Sequence, residues 1–184
     1  MGLGNPGPEY DETRHNAGFR LADHLVARWR LGPYTRAERA RQAEGVWDGR
    51  EVRVIKPQTY MNRSGAALAP LRDVSGFDPA THLLILSDDV ALPVGRFRVR
   101  GAGSSGGHNG LKSIEAPLQR QDYARLRIGV GLVPPEVEDL ADFVLGPLEP
   151  EEQRMIAELL DPMAEAVECW MAEGVERAMS RFNR

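Results

Sequence analysis

The chain has 184 residues, a formal net charge of -4 and a single cysteine, Cys169. One cysteine excludes an internal disulfide, and no apolar stretch approaches the roughly 18 residues of a membrane span, which argues against secreted and membrane-spanning classes. A chain of this length is expected to bury roughly 70% of its unfolded surface in one domain. We therefore expect a single cytosolic domain over residues 1–184.

The first half of the chain predicts alternating helices and strands. Apolar residues over 17–29 recur with a 3.6-residue period, which predicts a helix. Residues 51–54 alternate between charged and apolar side chains, which predicts a strand leading into a loop at 59–62. Ser64 is expected to cap the next helix, although Pro70 falls inside it.

The second half continues this alternation. The apolar run 83–86 predicts a buried central strand that ends at Ser87–Asp88. Two more strands are predicted over 96–100 and 125–130, each with its arginines on one face. A long helix is predicted after Pro150. The whole pattern predicts an α/β fold, a single-domain three-layer sandwich with a mixed, largely parallel twisted sheet and helices on both faces.

Polar residues follow several of these strands. Catalytic loops of α/β proteins lie at the carboxyl ends of strands, where Asn5, Asn62 and Asp88 are expected. Asparagine offers donors and an acceptor without charge, so it can hold a peptide backbone or an oxyanion. His15 precedes the first helix, and an imidazole paired with a carboxylate is suited to act as a general base for water. The pattern therefore favours a hydrolase that directs water onto a carbonyl.

Charge is distributed unevenly along the chain. Residues 96–127 contain seven basic and two acidic residues, whereas residues 134–176 contain one basic and thirteen acidic residues. This polarity predicts a one-sided basic surface, with the acidic end kept away from any phosphates. The alternative is that these charged residues only keep the surfaces of the two segments in contact with water and bind no partner.

Two short motifs suggest other enzyme classes. Residues 2–7 fit the G-x-G-x-x-G dinucleotide fingerprint, but there is no room for a normal preceding strand, and Pro6 removes an amide donor. Residues 103–107 fit the G-x-S-x-G motif of serine hydrolases, in which an acid and then a histidine follow the serine along the chain. Here His108 is the only histidine after the serine, and it precedes every candidate acid. Neither motif has the context that its chemistry requires.

A metal site is a third alternative. His15, Asp88 and His108 are residue types that ligate metals, yet they lack the i, i+4 or paired-cysteine spacing of a specific metal motif. We therefore expect metal-free chemistry without a cofactor.

Six stretches in a set order carry a resemblance to a known family. They are Gly-Leu-Gly-Asn-Pro-Gly at 2–7, Thr-Arg-His-Asn at 13–16, Lys-Pro-Gln-Thr-Tyr-Met-Asn-Arg-Ser-Gly at 56–65, Gly-Gly-His-Asn-Gly-Leu-Lys-Ser-Ile at 106–114, Arg-Leu-Arg-Ile-Gly-Val-Gly at 125–131 and Phe-Val-Leu-Gly at 143–146. Over nearly its full length the chain resembles bacterial peptidyl-tRNA hydrolases, esterases that recycle tRNA prematurely released from ribosomes with a peptide attached.

The resemblance implies an activity and a set of roles. The activity is hydrolysis of the ester between peptide and tRNA 3′ ribose by a monomer that needs no metal, cofactor or membrane. The implied catalytic residues are His15 as base, Asp88 to orient it and Asn62 to stabilise the oxyanion. The implied substrate-binding residues are Asn5, Tyr10, Met61, His108 and Asn109, with Tyr10 beside the 3′ CCA end. The implied phosphate-binding residues, for the acceptor stem, are Arg98, Arg100, Lys112 and Arg127.

The chain departs from the family at its beginning. Family members carry several apolar residues before the first glycine as a central strand, whereas this chain starts at Met1–Gly2. A truncated first strand would leave buried amides unsatisfied, at roughly 1 to 3 kcal/mol each. The alternative function left open is a non-hydrolytic RNA-binding relative of the same fold, although the joint presence of His15, Asp88 and Asn62 favours the hydrolase.

Overall fold

The computed structural model describes residues 1–183 apart from the side chain of Arg72, so the expected domain end at residue 184 lies outside the described residues. The strands are β1 Thr35–Arg36, β2 Ala40–Trp47, β3 Arg50–Pro57, β4 Leu84–Asp89, β5 Phe97–Arg100 and β6 Ala124–Gly129. The helices are α1 Ala17–Arg28, α2 Ala69–Arg72, α3 Pro79–His82, α4 Asn109–Leu118, α5 Leu140–Leu145, α6 Pro150–Glu173 and α7 Val175–Phe182. Short 3₁₀ helices occupy Pro8–Tyr10, Arg14–Asn16 and Met61–Leu68. None of the helices within residues 1–183 combines the length and apolar character that a membrane crossing demands.

The described strands form two three-stranded sheets. β1, β2 and β3 pair antiparallel in that order, and a second set has the order β4-β6-β5. β4 and β6 are parallel, whereas β5 and β6 are antiparallel. The expected α/β class with mixed pairing is confirmed. The expectation of largely parallel pairing is wrong, because among the described strands only β4 and β6 pair parallel.

The N-terminal residues join the two sets of strands. Gly2 N–H donates to the Ile55 carbonyl of β3 at 2.9 Å, and Gly2 also forms a parallel bridge with Leu86 of β4. The Met1 ammonium donates to the Leu84 carbonyl at 2.7 Å, and the Leu86 N–H donates to the Met1 carbonyl at 2.9 Å. The shortened first strand was expected to leave buried backbone groups of its neighbours unsatisfied, but Met1 and Gly2 provide hydrogen-bond partners for Ile55, Leu84 and Leu86.

Two apolar cores cover the two faces of the central strands. One core joins α1, β6 and α6 through residues that include Leu21, Leu126, Ile128, Ile156 and Met163. The other joins the 3₁₀ helix Met61–Leu68 to α4 through residues that include Leu3, Leu68, Ile85, Leu111 and Ile114. All six residues of β4 are buried, because successive side chains of this strand enter opposite cores. The predicted helices at 17–29 and after Pro150 are confirmed as α1 and α6.

Two local predictions need correction. Ser64 does not cap a helix, because it lies inside the 3₁₀ helix, where its hydroxyl donates to the Met61 carbonyl at 2.8 Å. The following α-helix, α2, starts only at Ala69, which places Pro70 in its first turn, where proline is tolerated. The central strand β4 continues to Asp89, so Asp88 lies within the strand and not in the loop after it.

Arg125 is buried, whereas the alternation of strand residues predicted that it would lie with Arg127 on a basic surface. Its side chain is only 3% exposed and stacks over the Tyr123 ring, 4.4 Å from the centroid. Its guanidinium donates to the Ser104 carbonyl at 2.6 Å. Arg125 therefore anchors the loop 103–107, which we call the glycine-rich loop, to β6.

Gly65 generates a stability prediction, because it lies where the 3₁₀ helix Met61–Leu68 crosses α4. A Cβ at this position would overlap the backbone carbonyl of Ser113, which cannot rotate away. Gly65→Ala is therefore expected to lower the free energy of unfolding by roughly 1 to 3 kcal/mol, measured by urea denaturation. The matched control is Gly32→Ala, whose new Cβ would meet a single atom at 3.9 Å. Equal stability of the two variants would contradict this close crossing.

Candidate active site

A cleft of about 670 Å³ opens at the carboxyl end of β4. Its walls come from the turn before α1, the 3₁₀ helix Met61–Leu68, the glycine-rich loop and the start of α4. The structure brings ten of the predicted site residues to this cleft, namely Asn5, Tyr10, His15, Met61, Asn62, Asp88, Arg100, His108, Asn109 and Arg127. Arg98 and Lys112 do not line it.

His15 is held by the carboxylate of Asp88. Its 3₁₀ turn, Arg14–Asn16, leads directly into α1 and leaves the imidazole buried at the cleft floor. His15 Nδ1 lies 3.0 and 2.9 Å from the two Asp88 oxygens. Because Nδ1 donates to the carboxylate, the proton of the neutral ring resides there, and the lone pair of Nε2 is available to a water in the cleft.

His108 also binds Asp88, and its ring lies beside that of His15, with centroids 5.2 Å apart. His108 Nε2 lies 2.8 Å from Asp88 Oδ1. Its Nδ1 accepts the backbone N–H groups of Gly110 and Leu111 at 3.1 and 3.3 Å, so the ring forms the N-cap of α4. Since Nδ1 accepts, Nε2 must carry the proton and donate it to Asp88. One carboxylate therefore receives hydrogen bonds from two imidazoles.

These contacts keep Asp88 ionised. Burial alone would raise the pKa of Asp88, but the charges and hydrogen bonds of the two imidazoles outweigh burial and hold this pKa well below its usual range. Burial also acts to lower the pKa of His108, and the Asp88 carboxylate overcomes this effect and raises it. Protonating His108 Nδ1 would, however, remove the acceptor that caps α4.

His15, Asp88 and His108 also present metal-ligand atom types within 4.8 Å of one another. Two imidazoles and a carboxylate are a donor set that suits zinc. In the observed arrangement, His108 Nε2 keeps its proton because Nδ1 is occupied by the helix cap. A metal bound at Nε2 would therefore have to displace either this proton or the cap.

Asn5 is fixed by contacts that sequence reasoning missed. The Asn16 side chain accepts from Asn5 N–H at 2.8 Å and donates to the Asn5 carbonyl at 3.0 Å. Asn5 Oδ1 accepts the Met61 N–H at 2.7 Å, so its Nδ2 is the end of the amide left for a ligand. The only sequence signal for Asn16 was its position beside His15.

The other predicted polar residues lie at the rim of the cleft. Asn62 is near the start of its 3₁₀ helix, Asn109 is the first residue of α4, and both are exposed. The Tyr10 ring meets the Tyr60 ring edge to face, with centroids 6.4 Å apart. Tyr60 is 62% exposed, which leaves an aromatic surface available at this end of the cleft.

Four arginines share one face of β5 and β6, because Arg98 lies opposite Arg127 and Arg100 lies opposite Arg125. Arg127 is paired with Asp89 at 2.6 Å, and Arg125 is buried. Arg98 and Arg100 form no salt bridge within residues 1–183. The free positive charge of this face is therefore concentrated on β5.

A further wall of the cleft comes from α5, which the sequence patterns did not predict. Leu140 and Leu145 of this helix line the cleft and are 45% and 41% exposed. Arg14 holds α5 from behind, with its guanidinium 4.8 Å from the Phe143 centroid and in a 2.8 Å salt bridge with Glu152. Six residues are too few for a clear helical period, which explains why this element was missed.

Known proteins match this chain over its whole length. The protein-family model described as Peptidyl-tRNA hydrolase matches residues 1–184. A peptidyl-tRNA hydrolase of Gemmatimonas aurantiaca is 46% identical over 186 residues, covering 100% of this chain and 98% of the relative. One of Chloroflexus aggregans is 45% identical over 183 residues, covering 100% and 97%. The crystal structure of peptidyl-tRNA hydrolase from Acinetobacter baumannii has a TM-score of 0.90 at 34% identity, covering 99% of this chain and 92% of that one.

The fold and the contacts of Asp88 define a class, an α/β hydrolytic enzyme with an imidazole oriented by a carboxylate. The family match and the high identity of the relatives then identify the group within that class. The chain belongs to the peptidyl-tRNA hydrolase family. The resemblance inferred from six sequence stretches is confirmed, and none of these relatives supports the alternative of a non-hydrolytic RNA-binding protein.

The lowered pKa of Asp88 predicts how stability depends on pH. A depressed pKa in the folded state contributes stability that is present above the unfolded value of about 3.9 and is lost as the pH falls toward the folded pKa. The free energy of unfolding of the wild type should therefore fall more steeply below about pH 4 than that of Asp88→Asn. Urea denaturation at several pH values measures this difference. Parallel curves for the two proteins would contradict it.

Proposed function

We propose that His15 is the general base with which this protein hydrolyses peptidyl-tRNA. In the proposed step, His15 Nε2 takes a proton from water while the water oxygen attacks the ester carbonyl that joins the peptide to the 3′ ribose. The imidazolium then returns the proton to the departing ribose oxygen, so peptide and free tRNA leave. The observation that carries this assignment is the pair of bonds at 3.0 and 2.9 Å from Nδ1 to Asp88. These bonds fix the tautomer and stabilise the imidazolium.

Asn62 is the proposed donor to the oxyanion. The tetrahedral intermediate carries a negative oxygen, which a neutral amide N–H stabilises without changing the ionisation of His15 or Asp88. Asn62 lies on the cleft wall and is exposed, and none of the hydrogen bonds found within residues 1–183 uses its side chain. Its amide is therefore available to the substrate.

The remaining residues are proposed to position the two parts of the substrate. Asn5, Met61, His108 and Asn109 would hold the peptide next to the ester, and Tyr10 would flank the 3′ CCA end. Arg100 and Arg127 would bind the 5′ phosphate of the acceptor stem, joined by Arg98 and Lys112. The unpaired charges of Arg98 and Arg100 support this role, since phosphate contacts dominate the affinity of RNA-binding surfaces.

Several wider properties are part of the same proposal. Residues 1–184 would act as a single domain and a monomer in the bacterial cytoplasm, where peptidyl-tRNA is produced. The family match over the full chain supports the single domain. The reaction would need no metal, because His15 and Asp88 together supply a base and its charge partner.

Release of labelled peptide from peptidyl-tRNA tests the base assignment. His15→Ala is expected to abolish release, because no other group at the cleft floor combines a free imidazole nitrogen with a carboxylate partner. A chelator is expected to leave the wild-type rate unchanged. Retained turnover of His15→Ala would refute the base, and loss of wild-type turnover with chelator would favour a metal at His15, Asp88 and His108.

Substitution of Asn62 tests the oxyanion donor. Loss of one such donor commonly costs about 100- to 1,000-fold in kcat, so Asn62→Ala should lose this much while its melting temperature stays near that of the wild type. Asn62→Asp is the matched control for size, because it keeps the shape of the side chain but removes its N–H donors. It should be no more active than Asn62→Ala. Near-normal kcat in either variant would remove Asn62 from the mechanism.

A further inference from the structure

A second hollow adjoins the active-site cleft. It has a volume of about 530 Å³ and is formed where β1 ends, β2 begins and β3 ends. Its lining residues are Arg36, Ala37, Glu38, Arg39, Ala40, Arg41, Gln58 and Thr59. We call it the arginine hollow after Arg36, Arg39 and Arg41.

The charges of the arginine hollow are not compensated within the protein. Arg36 and Arg41 lie directly opposite each other on β1 and β2, an arrangement of like charges that destabilises a sheet. None of the three arginines forms a salt bridge within residues 1–183. Glu38 is the one acidic residue in the lining. The hollow therefore has the charge that suits an anion.

Basic residues on the strand next to the hollow, unlike those in it, have acidic partners. Lys56 and Arg53 of the adjacent strand β3 are paired, with Asp23 at 2.8 Å and Glu44 at 2.6 Å. The arginines of the hollow therefore differ from the basic residues of β3 in having no acidic partner within residues 1–183.

The arginine hollow is continuous with the active site along the chain. Gln58 N–H donates to the Arg39 carbonyl at 2.8 Å, and three residues later Met61 N–H donates to Asn5 Oδ1 at 2.7 Å. Three residues span at most about 11 Å. The hollow therefore lies at the same edge of the sheet as the cleft, just beyond Tyr60.

The order of the strands decides which part of the substrate would reach the hollow. The proposed phosphate-binding arginines are on β5 and β6, Asp88 is on β4, and the hollow is on β1 and β2. RNA that approaches from β5 ends at the ester, next to His15. Beyond the ester, in the direction of the hollow, the substrate continues as peptide.

We propose that the arginine hollow is a subsite for the peptide and favours an acidic side chain. This inference rests on the proposed function. Three strand spacings of about 4.8 Å separate β4 from β2, and an extended peptide advances about 3.3 Å per residue, so the subsite meets roughly the fourth or fifth residue before the ester. A guanidinium group binds a carboxylate through two parallel hydrogen bonds, which makes arginine suited to this recognition.

The test compares peptidyl-tRNAs that differ only in one peptide residue. Aspartate, asparagine or lysine is placed at the fourth or fifth position before the ester, and kcat/KM is measured for release of each peptide. The wild type should prefer the aspartate peptide to the lysine peptide by about two- to fivefold, the range expected for exposed ion pairs. Arg36→Glu/Arg41→Glu should reverse this preference, and Arg39→Glu should reduce or reverse it.

Arg50→Glu is the matched control for Arg39→Glu, because it makes the same change of charge at the far end of the β2–β3 hairpin and should keep the preference. Melting temperatures check that each variant is folded. Equal turnover of the aspartate and lysine peptides by the wild type would overturn the subsite while leaving the proposed function intact. Weaker binding of deacylated tRNA by the hollow variants would also overturn it and assign the hollow to RNA phosphates. Failure to hydrolyse any peptidyl-tRNA would instead overturn the proposed function.

Discussion

The buried carboxylate of Asp88 is the group on which the active site depends. It lies on the central strand and receives hydrogen bonds from the neighbouring rings of His15 and His108, which belong to different segments of the chain. A buried charge is costly unless it is fully paired, so each imidazole contributes to keeping the other in place. Because His108 also caps α4, the same carboxylate joins the turn before α1, the strand β4 and the start of α4. The geometry of the proposed catalytic residues and the folding of the chain are therefore coupled at one residue.

Backbone contacts extend this coupling to the amides of the cleft. Asn5 follows the N-terminal stretch that bridges β3 and β4, and its side chain accepts from Met61 N–H. Asn16 closes the other side of Asn5 and is the residue next to His15. The peptide-binding wall and the imidazole are thus connected by hydrogen bonds within a few residues. A shift of the N-terminal stretch would move both walls together.

Sequence patterns predicted the elements with a clear period and the edge of the sheet where the site lies. Helix α1, strand β4 and the residues that follow β3 were all recognisable, because burial imposes a local repeat of side chains. Alternation also assigned Arg125 and Arg127 to one face, but it could not predict what covers that face. Tyr123 and the glycine-rich loop bury Arg125, and Asp89 pairs with Arg127. The second role of His108 as a helix cap equally depends on a contact that no spacing reveals.

The uneven charge of the chain has a structural explanation that reconciles an acidic protein with an RNA substrate. Three acidic residues of α6 pair with basic residues near the first helix: Glu168 with Arg28 and Glu152 with Arg14, both at 2.8 Å, and Asp161 with Arg28 at 3.0 Å. Helix α6 packs against the face of the sheet that carries Leu126 and Val99, whereas Arg98 and Arg100 occupy the opposite face. Since the Debye length is about 8 Å at physiological ionic strength, charges separated by the thickness of the sheet are largely screened from each other. Asp139 of the acidic segment lines the same cleft as Arg100, so the acidic residues are not all kept away from this face. The proposed phosphate binding on β5 therefore depends on the unpaired arginines Arg98 and Arg100 and not on the net charge.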